Sequence, residues 1–444
     1  RPLATVVIGG LVTSTLLTMI TLPLLFYIFN TKKPFSKIKI HNGATTVIVL
    51  LLILASNNSI AQNNSTEVQK ITIEQAVEYA RKNNPALKNA SLSIDAAKKQ
   101  KQGILNFDPT EFSYQHGQIN SEIIDWSFDI TQNFGSILTH YQNGKLVNHN
   151  IALSEKEYVL AEKEIVAKTK IAWYRWIYNI NRIEIKQQQA ELYKEFVRIA
   201  QLKFDLGESN LLEQTLAETE YASIKNELLK IKEELYISEN NLKQIMYLEG
   251  NFIPENDTIT IYELPASSDS KERFSSSVLL NYYENLYQIE NAKYNIERSK
   301  YFPEISAGYF NQQIDNQGGF KGWSIGIKMP IWFLPQNAQV QQAKIEKEKS
   351  LNNFDYQKFN LEKEIENLII QLDQIQNDLL YYNESALKKA AVLRNIAKIQ
   401  FEKEEIDYME FLQSITVAQD IDLGYIEKLY NYNETAIKLE FYIK

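Results

Sequence analysis

Two hydrophobic spacings alternate along this chain, and each of them occurs twice. Ile124, Trp126, Phe128 and Ile130 alternate with Asp125, Ser127, Asp129 and Thr131, and Trp323, Ile325, Ile327 and Met329 alternate with Ser324, Gly326 and Lys328. Period two of this kind predicts strands with one apolar and one polar face. Elsewhere the spacing is seven. Ile151, Tyr158, Ile165 and Ala172 form one stripe, which shifts by four residues to Trp176, Ile183, Ala190, Val197 and Phe204; Ile365, Leu372, Leu379, Ala386 and Leu393 form another. Sustained heptads predict long helices packed side by side. A helix of about 60 residues is on the order of 90 Å long, more than a globular core needs.

The two patterns belong to one duplicated unit. Trp126 to Ile130 corresponds to Trp323 to Ile327, Phe204 to Phe401 and Glu213 to Glu410, each at an offset of 197 (323 − 126, 401 − 204, 410 − 213). Each unit reads helix, strand, strand, helix, helix. The first helices are expected over Thr72 to Asn106 and Lys271 to Tyr301. The long helices are expected over about Gly144 to Phe204 and Gln336 to Glu404, and the return helices over Leu211 to Tyr247 and Tyr408 to Tyr442. Between the units, residues 250–277 hold Pro254, Pro265 and a Ser267 to Ser270 run, the signal of a linker. The division is therefore 62–249 and 278–444 for the two repeats, with the linker between them.

Residues 1–61 have a different character. Val6 to Phe29 carries no charge and is long enough to cross the roughly 30 Å hydrocarbon core of a bilayer, so residues 1–31 read as a transmembrane helix in the inner membrane. Thr45 to Ala55 is a shorter apolar run. It follows Lys32, Lys33, Lys37 and Lys39 and precedes Ser59, Ile60 and Ala61, so residues 32–61 have the basic, apolar, small-residue order of a secretory signal with cleavage after Ala61. The lysines place the intervening loop in the cytoplasm, and the chain from about residue 62 is expected to be exported to the periplasm and outer membrane.

Composition narrows the field. The 444 residues contain no cysteine, 23% charged residues and only 15 glycines and 10 prolines, a balance suited to long helices. The net charge of -8 is spread over mixed-sign faces, so no nucleic-acid partner is expected. His41, His116, His140 and His149 lie at loop or strand-edge positions without metal-ligand spacing, and Met19, Met246, Met329 and Met409 are scattered. No catalytic, cofactor or metal constellation emerges, and the chain is not read as an enzyme.

The strands argue against a plain helical rod. Apolar-out, polar-in alternation is what a membrane β-barrel requires, with Phe112, Tyr114, Tyr309 and Phe310 as girdle candidates and Trp126, Phe128, Trp323 and Ile325 facing lipid. A water-soluble sheet half covered by helix shows the same alternation. Four strands cannot close in lipid, because open edges leave backbone groups unsatisfied. A membrane-spanning form must be an oligomer, and three copies supply twelve strands.

The run from Ile71 to Pro85, the run from Ser299 to Tyr309 and the turn from Phe204 to Glu213 resemble TolC-like outer-membrane efflux proteins, over nearly all of residues 71–444. The run from Arg1 to Thr18 resembles the last transmembrane helix of heavy-metal efflux pumps of the resistance-nodulation-division family. The resemblance implies a homotrimer, mainly α, in which a twelve-stranded outer-membrane β-barrel continues into a long α-helical barrel. It implies an inner-membrane pump, a periplasmic adaptor and outer-membrane lipid as partners, with heavy-metal cations as one cargo. Leu206, Gly207 and Glu208, with Glu404, Glu405 and Ile406, would be helical-tip turns that meet the pump or adaptor; Glu213 and Glu410 would line the pore aperture. Glu404 stands where a glycine is usual, and Ile406 where some members place a basic residue. A protein-secretion duct and a poreless periplasmic adaptor or scaffold are the rival readings.

Overall fold

The computed structural model describes residues 68–120, 122–264 and 277–443. The transmembrane and signal readings, His41 and the serine run lie outside these residues. Among the described residues no helix is long and apolar enough to cross a membrane.

The first unit opens with strand β1 (Gln69–Ile71) and helices α1 (Ile73–Asn83) and α2 (Pro85–Lys99), the latter running into a 3-10 turn (Gln100–Gly103). The single helix expected over Thr72 to Asn106 is thus broken. Asn84 ends α1 with its N–H on Ala80 O and starts α2 with its side chain accepting from Ala86 N, while Pro85 removes the donor that would continue α1. Thr72 and Gln75 form a reciprocal capping box at the α1 start. Strands β2 (Glu111–Gly117) and β3 (Asp125–Gly135) follow, then α3 (Ile137–Asp205) and α4 (Leu211–Met246). With 69 residues, α3 is about 100 Å long.

The linker is not featureless. Strand β4 (Phe252–Pro254) pairs in parallel with β1, and residues 257–262 are stitched to the helices. Asn181 of α3 donates to Asp257 O and accepts from Ile259 N.

The second unit comprises α5 (Val278–Ser299), β5 (Glu304–Ile314), β6 (Gln317–Lys328), α6 (Phe333–Tyr381), α7 (Leu387–Glu402) and α8 (Tyr408–Ile443). Asn433 of α8, fully buried, accepts from Tyr262 N and donates to Thr260 O, which pins the linker from its other side. A π turn, Tyr382–Ala386, joins α6 to α7 and interrupts the helix expected over Gln336 to Glu404. There the Tyr382 ring lies against Gly424 of α8, where any Cβ would collide with the hydroxyl. The buried positions accordingly shift from Leu372, Leu379 and Ala386 to Ala390 and Ala397, leaving Leu393 half-buried.

The largest apolar cluster gathers Trp173, Trp176 and Ile177 of α3, Leu242 and Met246 of α4, Leu429 and Ile437 of α8, and Ile71 and Phe252 of the β1 and β4 pair. Beyond it, toward the far end of α3, the heptad expectation is rotated. The buried residues are Lys186, Gln189, Phe196 and Ala200, whereas Ile183, Ala190 and Val197 are half-buried and Phe204 is exposed. One stripe cannot describe α3 because it packs against both α4 and α8, so two seams divide its surface.

Candidate functional site

The four long strands form one antiparallel sheet in the order β2, β3, β5, β6. Among the described residues no further strand pairs with its two edges, β2 and β6. Register fixes which side chains share a face: Phe112, Ile130, Tyr309 and Trp323 lie in one row, and Gln132, Ala307 and Ile325 in the next on the same face. Trp126 and Phe128 belong to this face too, because they alternate with Ser127 and Asp129 on β3. Trp126 and Phe128 are half-buried within the chain, while Trp323 is 76% and Ile325 66% exposed.

The opposite face carries small and polar residues. Gly308 faces Ser324, Gly322 lies under the Phe310 ring with 2.7 Å for a Cβ, and Gly326 faces Ser306. Phe310 therefore covers a glycine on this face and is not a girdle residue beside Tyr309. Bulk on one face and missing Cβ atoms on the other curl a sheet toward the small side. Ser127 belongs to this polar face by its alternation with Trp126 and Phe128, but does not lie open on it. It is instead buried, its hydroxyl donating to Asp129, while neighbouring Asp125 accepts from Asn120 N and Asp315 N and so ties the two strand connections together. The second of these connections is a two-residue turn, Asp315 and Asn316, both at positive φ (52° and 62°), a conformation these short polar residues tolerate.

Where the chain passes from β3 into α3, His140 sits in the first helical turn and not in a loop; His149 is also helical. The His140 ring nitrogens lie 3.2 Å from Ile104 O and 2.8 Å from Phe134 O, with Phe107 edge-on, so this histidine is a packed junction residue.

At the other end of α3 the two hairpin turns have one backbone design. Gly207 N bonds Phe204 O and Glu208 N bonds Lys203 O; Glu404 N bonds Phe401 O and Glu405 N bonds Gln400 O. Both central residues are left-handed, Gly207 at φ 73° and Glu404 at φ 58°. Leu206, Glu208, Glu404 and Glu405 are exposed and Ile406 is half-buried.

Glu213 and Glu410 both stand in the first turn of their return helices, and both have local partners. Ser209 donates to Glu213 at 2.7 Å, and Asn210 caps the Glu213 N–H. Glu410 accepts from Asp407 N at 3.3 Å while its own N–H donates to Asp407 at 2.7 Å, a reciprocal cap. These bonds serve the helix starts; they leave both carboxylates at the hairpin ends.

An aromatic cluster, absent from the sequence reading, brings the two ends together. Tyr408 stacks on Phe196 of α3 at 5.0 Å and its hydroxyl donates to Leu192 O. Phe401 stacks on Phe411 at 4.8 Å and meets Tyr408 edge-on. Burial pushes the Tyr408 phenol up to about 12. Only Phe401, as the partner of Phe204 in the repeat, had a sequence signal.

A four-stranded antiparallel sheet carried by a duplicated set of long helical hairpins is the fold of TolC-like outer-membrane efflux channels. The structure superposes on CusC, described with conformational changes in folding and transmembrane channel formation, at a TM-score of 0.70 and 16% identity over 87% of this chain and 95% of that one. It superposes on the CmeC outer membrane channel of Campylobacter jejuni at 0.70 and 16%, covering 84% and 85%. The open-state MtrE outer membrane channel of Neisseria gonorrhoeae gives 0.67 and 14%, covering 84% and 88%. No protein-family model and no curated protein sequence matches the chain.

Proposed function

We propose that this chain is the outer-membrane exit duct of a tripartite efflux system, a homotrimer that passively conducts substrate received from an inner-membrane pump through a periplasmic adaptor. The observation that carries this reading is the sheet: four strands, neither edge paired among the described residues, one face glycine-rich and polar, the other bulky and apolar. Three copies joined edge to edge would leave no unpaired backbone in lipid and would turn the small, polar face inward. The helical hairpins would then continue the duct, with the turns at Leu206 to Glu208 and Glu404 to Ile406 meeting the pump or adaptor. Trp126, Phe128, Trp323 and Ile325 would face lipid. The run from Arg1 to Thr18, which resembles the last helix of heavy-metal pumps of the resistance-nodulation-division family, favours heavy-metal cations as cargo, supplied by a pump of that family.

In such a trimer Glu213 and Glu410 each occur three times around one axis. Six carboxylates in a narrow mouth attract cations, so the duct is expected to prefer cations and to be blocked by multivalent ones. The test is bilayer conductance of the chain from Gln62 onward against Glu213→Gln and Glu410→Gln together, since glutamine keeps the acceptor oxygens that serve the helix starts. Weaker cation preference and weaker block support the aperture role. Unchanged selectivity leaves both residues as caps only, and absence of any channel refutes the duct.

A further inference from the structure

The small, polar face of the sheet also carries two aromatic rings. Register puts Phe310 of β5 opposite Gly322 of β6 and Phe320 opposite Gln312, so both side chains share the face of Gly308, Ser324 and Gly326. Phe310 is half-buried, and Phe320 is 43% exposed. Because Phe320 stands diagonally across from Phe310, their Cα atoms are about 7–8 Å apart, within reach of one shared ligand.

On the other side of Phe310 its strand partner is Asp129 of β3. Facing Cβ atoms are about 4.5–5.5 Å apart, which sets this carboxylate beside the ring. Asp129 is half-buried, accepts from the Ser127 hydroxyl at 3.3 Å and enters no ion pair among the described residues. Lys328 is the basic side chain of this face among the described residues, and it pairs with Glu304 about 20 Å further along β6. The acid and the rings come from different repeats. At the offset of 197, Asp125 stands where the second unit has Gly322, and Ile123 where it has Phe320. They meet because β3 pairs with β5.

We propose that Asp129, Phe310 and Phe320 form a subsite for a weakly hydrated organic cation, of the tetraalkylammonium class, on the wall of the duct. This rests on the barrel reading above, which turns the face inward, and adds a cargo class to it. A hard metal ion collects about six oxygens, more than Asp129 and Ser127 offer, and a soft one seeks sulfur or imidazole, which this face lacks among the described residues. A tetraalkylammonium ion spreads its charge over C–H groups that rest on ring faces, and one adjacent carboxylate balances it. Three copies of the chain would hold three such subsites.

The chain has no cysteine, so Ser324→Cys places a single thiol on the exposed part of this face, at the other diagonal position from Phe310. The chain from Gln62 onward carrying this thiol is reconstituted in phosphatidylcholine vesicles and labelled with a water-soluble maleimide. Tetrabutylammonium is expected to slow the labelling several-fold, and sodium at the same concentration is not. The concentration needed should rise roughly tenfold when Phe310→Leu and Phe320→Leu are added together, and again roughly tenfold when Asp129→Asn is added alone. Leucine still covers Gly322 and asparagine still accepts from Ser127, so a normal labelling rate without the cation shows an intact face. Labelling that tetrabutylammonium leaves unchanged, or slowing that survives in both variants, would mean that the rings only cover glycine and would overturn the subsite alone. A thiol that the maleimide does not reach would overturn the barrel reading with it, because the face is then not lined by water.

Discussion

Glu404 occupies, at φ 58°, the backbone position that Gly207 occupies at φ 73° in the other hairpin, and both turns close with the same pair of backbone hydrogen bonds. A left-handed conformation costs an L-residue roughly 1–2 kcal/mol that glycine does not incur. Glu404→Gly should therefore stabilise its turn by about 1 kcal/mol, and Gly207→Ala should destabilise the other by about the same amount. Amide exchange at residues 400–410 and 203–213 reads each turn separately. Equal exchange in wild type and Glu404→Gly would show that Glu404 is unstrained.

Tyr408 joins the second hairpin to the first through its ring and through its hydroxyl. Tyr408→Phe should cost about 1 kcal/mol by leaving Leu192 O without that donor, whereas Tyr408→Ala should cost about 3–5 kcal/mol through loss of the ring stacked on Phe196. Hydrogen exchange should rise at the ends of both hairpins in the alanine variant. A rise confined to the second hairpin would mean that the cluster does not couple them.

The two faces of β6 should respond differently to charge. Arginine at Trp323 or Ile325 is expected to cost up to roughly 2–4 kcal/mol near the bilayer midplane. Arginine at the exposed Ser324 should be tolerated, whereas arginine at Ser127 of β3, buried and bonded to Asp129, should not. Yield of folded trimer in outer membranes measures this. Equal loss on both faces would indicate a sheet buried in protein.

Much of this fold was legible in spacing alone. Alternation placed Trp126 and Trp323 in strands, and the offset of 197 foretold that Phe204 and Phe401, like Gly207 and Glu404, would hold matching places in two turns. What period could not convey was contact between distant segments. The small pairing of Gln69–Ile71 with Phe252–Pro254, the Asn433 clamp on the linker and the stack of Tyr408 on Phe196 each join residues more than 150 positions apart. The π turn was invisible for another reason: it depends on Gly424 making room for Tyr382, a local fit between two helices that no single-helix pattern encodes.

Alkali should unfold the helical part. Burial pushes the Tyr174 and Tyr408 phenols up to about 12, and raises Tyr262 and Tyr430, where hydrogen bonds with Glu440 and Glu434 add to the effect. These phenols ionise near pH 10 when unfolded, so the unfolded chain releases protons first and stability falls as pH rises above about 10. Below pH 10 their contribution is fully present. Thermal midpoints by circular dichroism should be level from pH 8 to 9 and drop between about pH 10 and 12; a level curve throughout would contradict the burial of these rings.

The most direct measurement is electron microscopy of the detergent-purified chain from Gln62 onward, imaged as single particles. A hollow trimer is expected, with a twelve-stranded barrel at one end and the turns at Gly207 and Glu404 together at the other. A monodisperse monomer, or a particle without a continuous lumen, would contradict the exit duct.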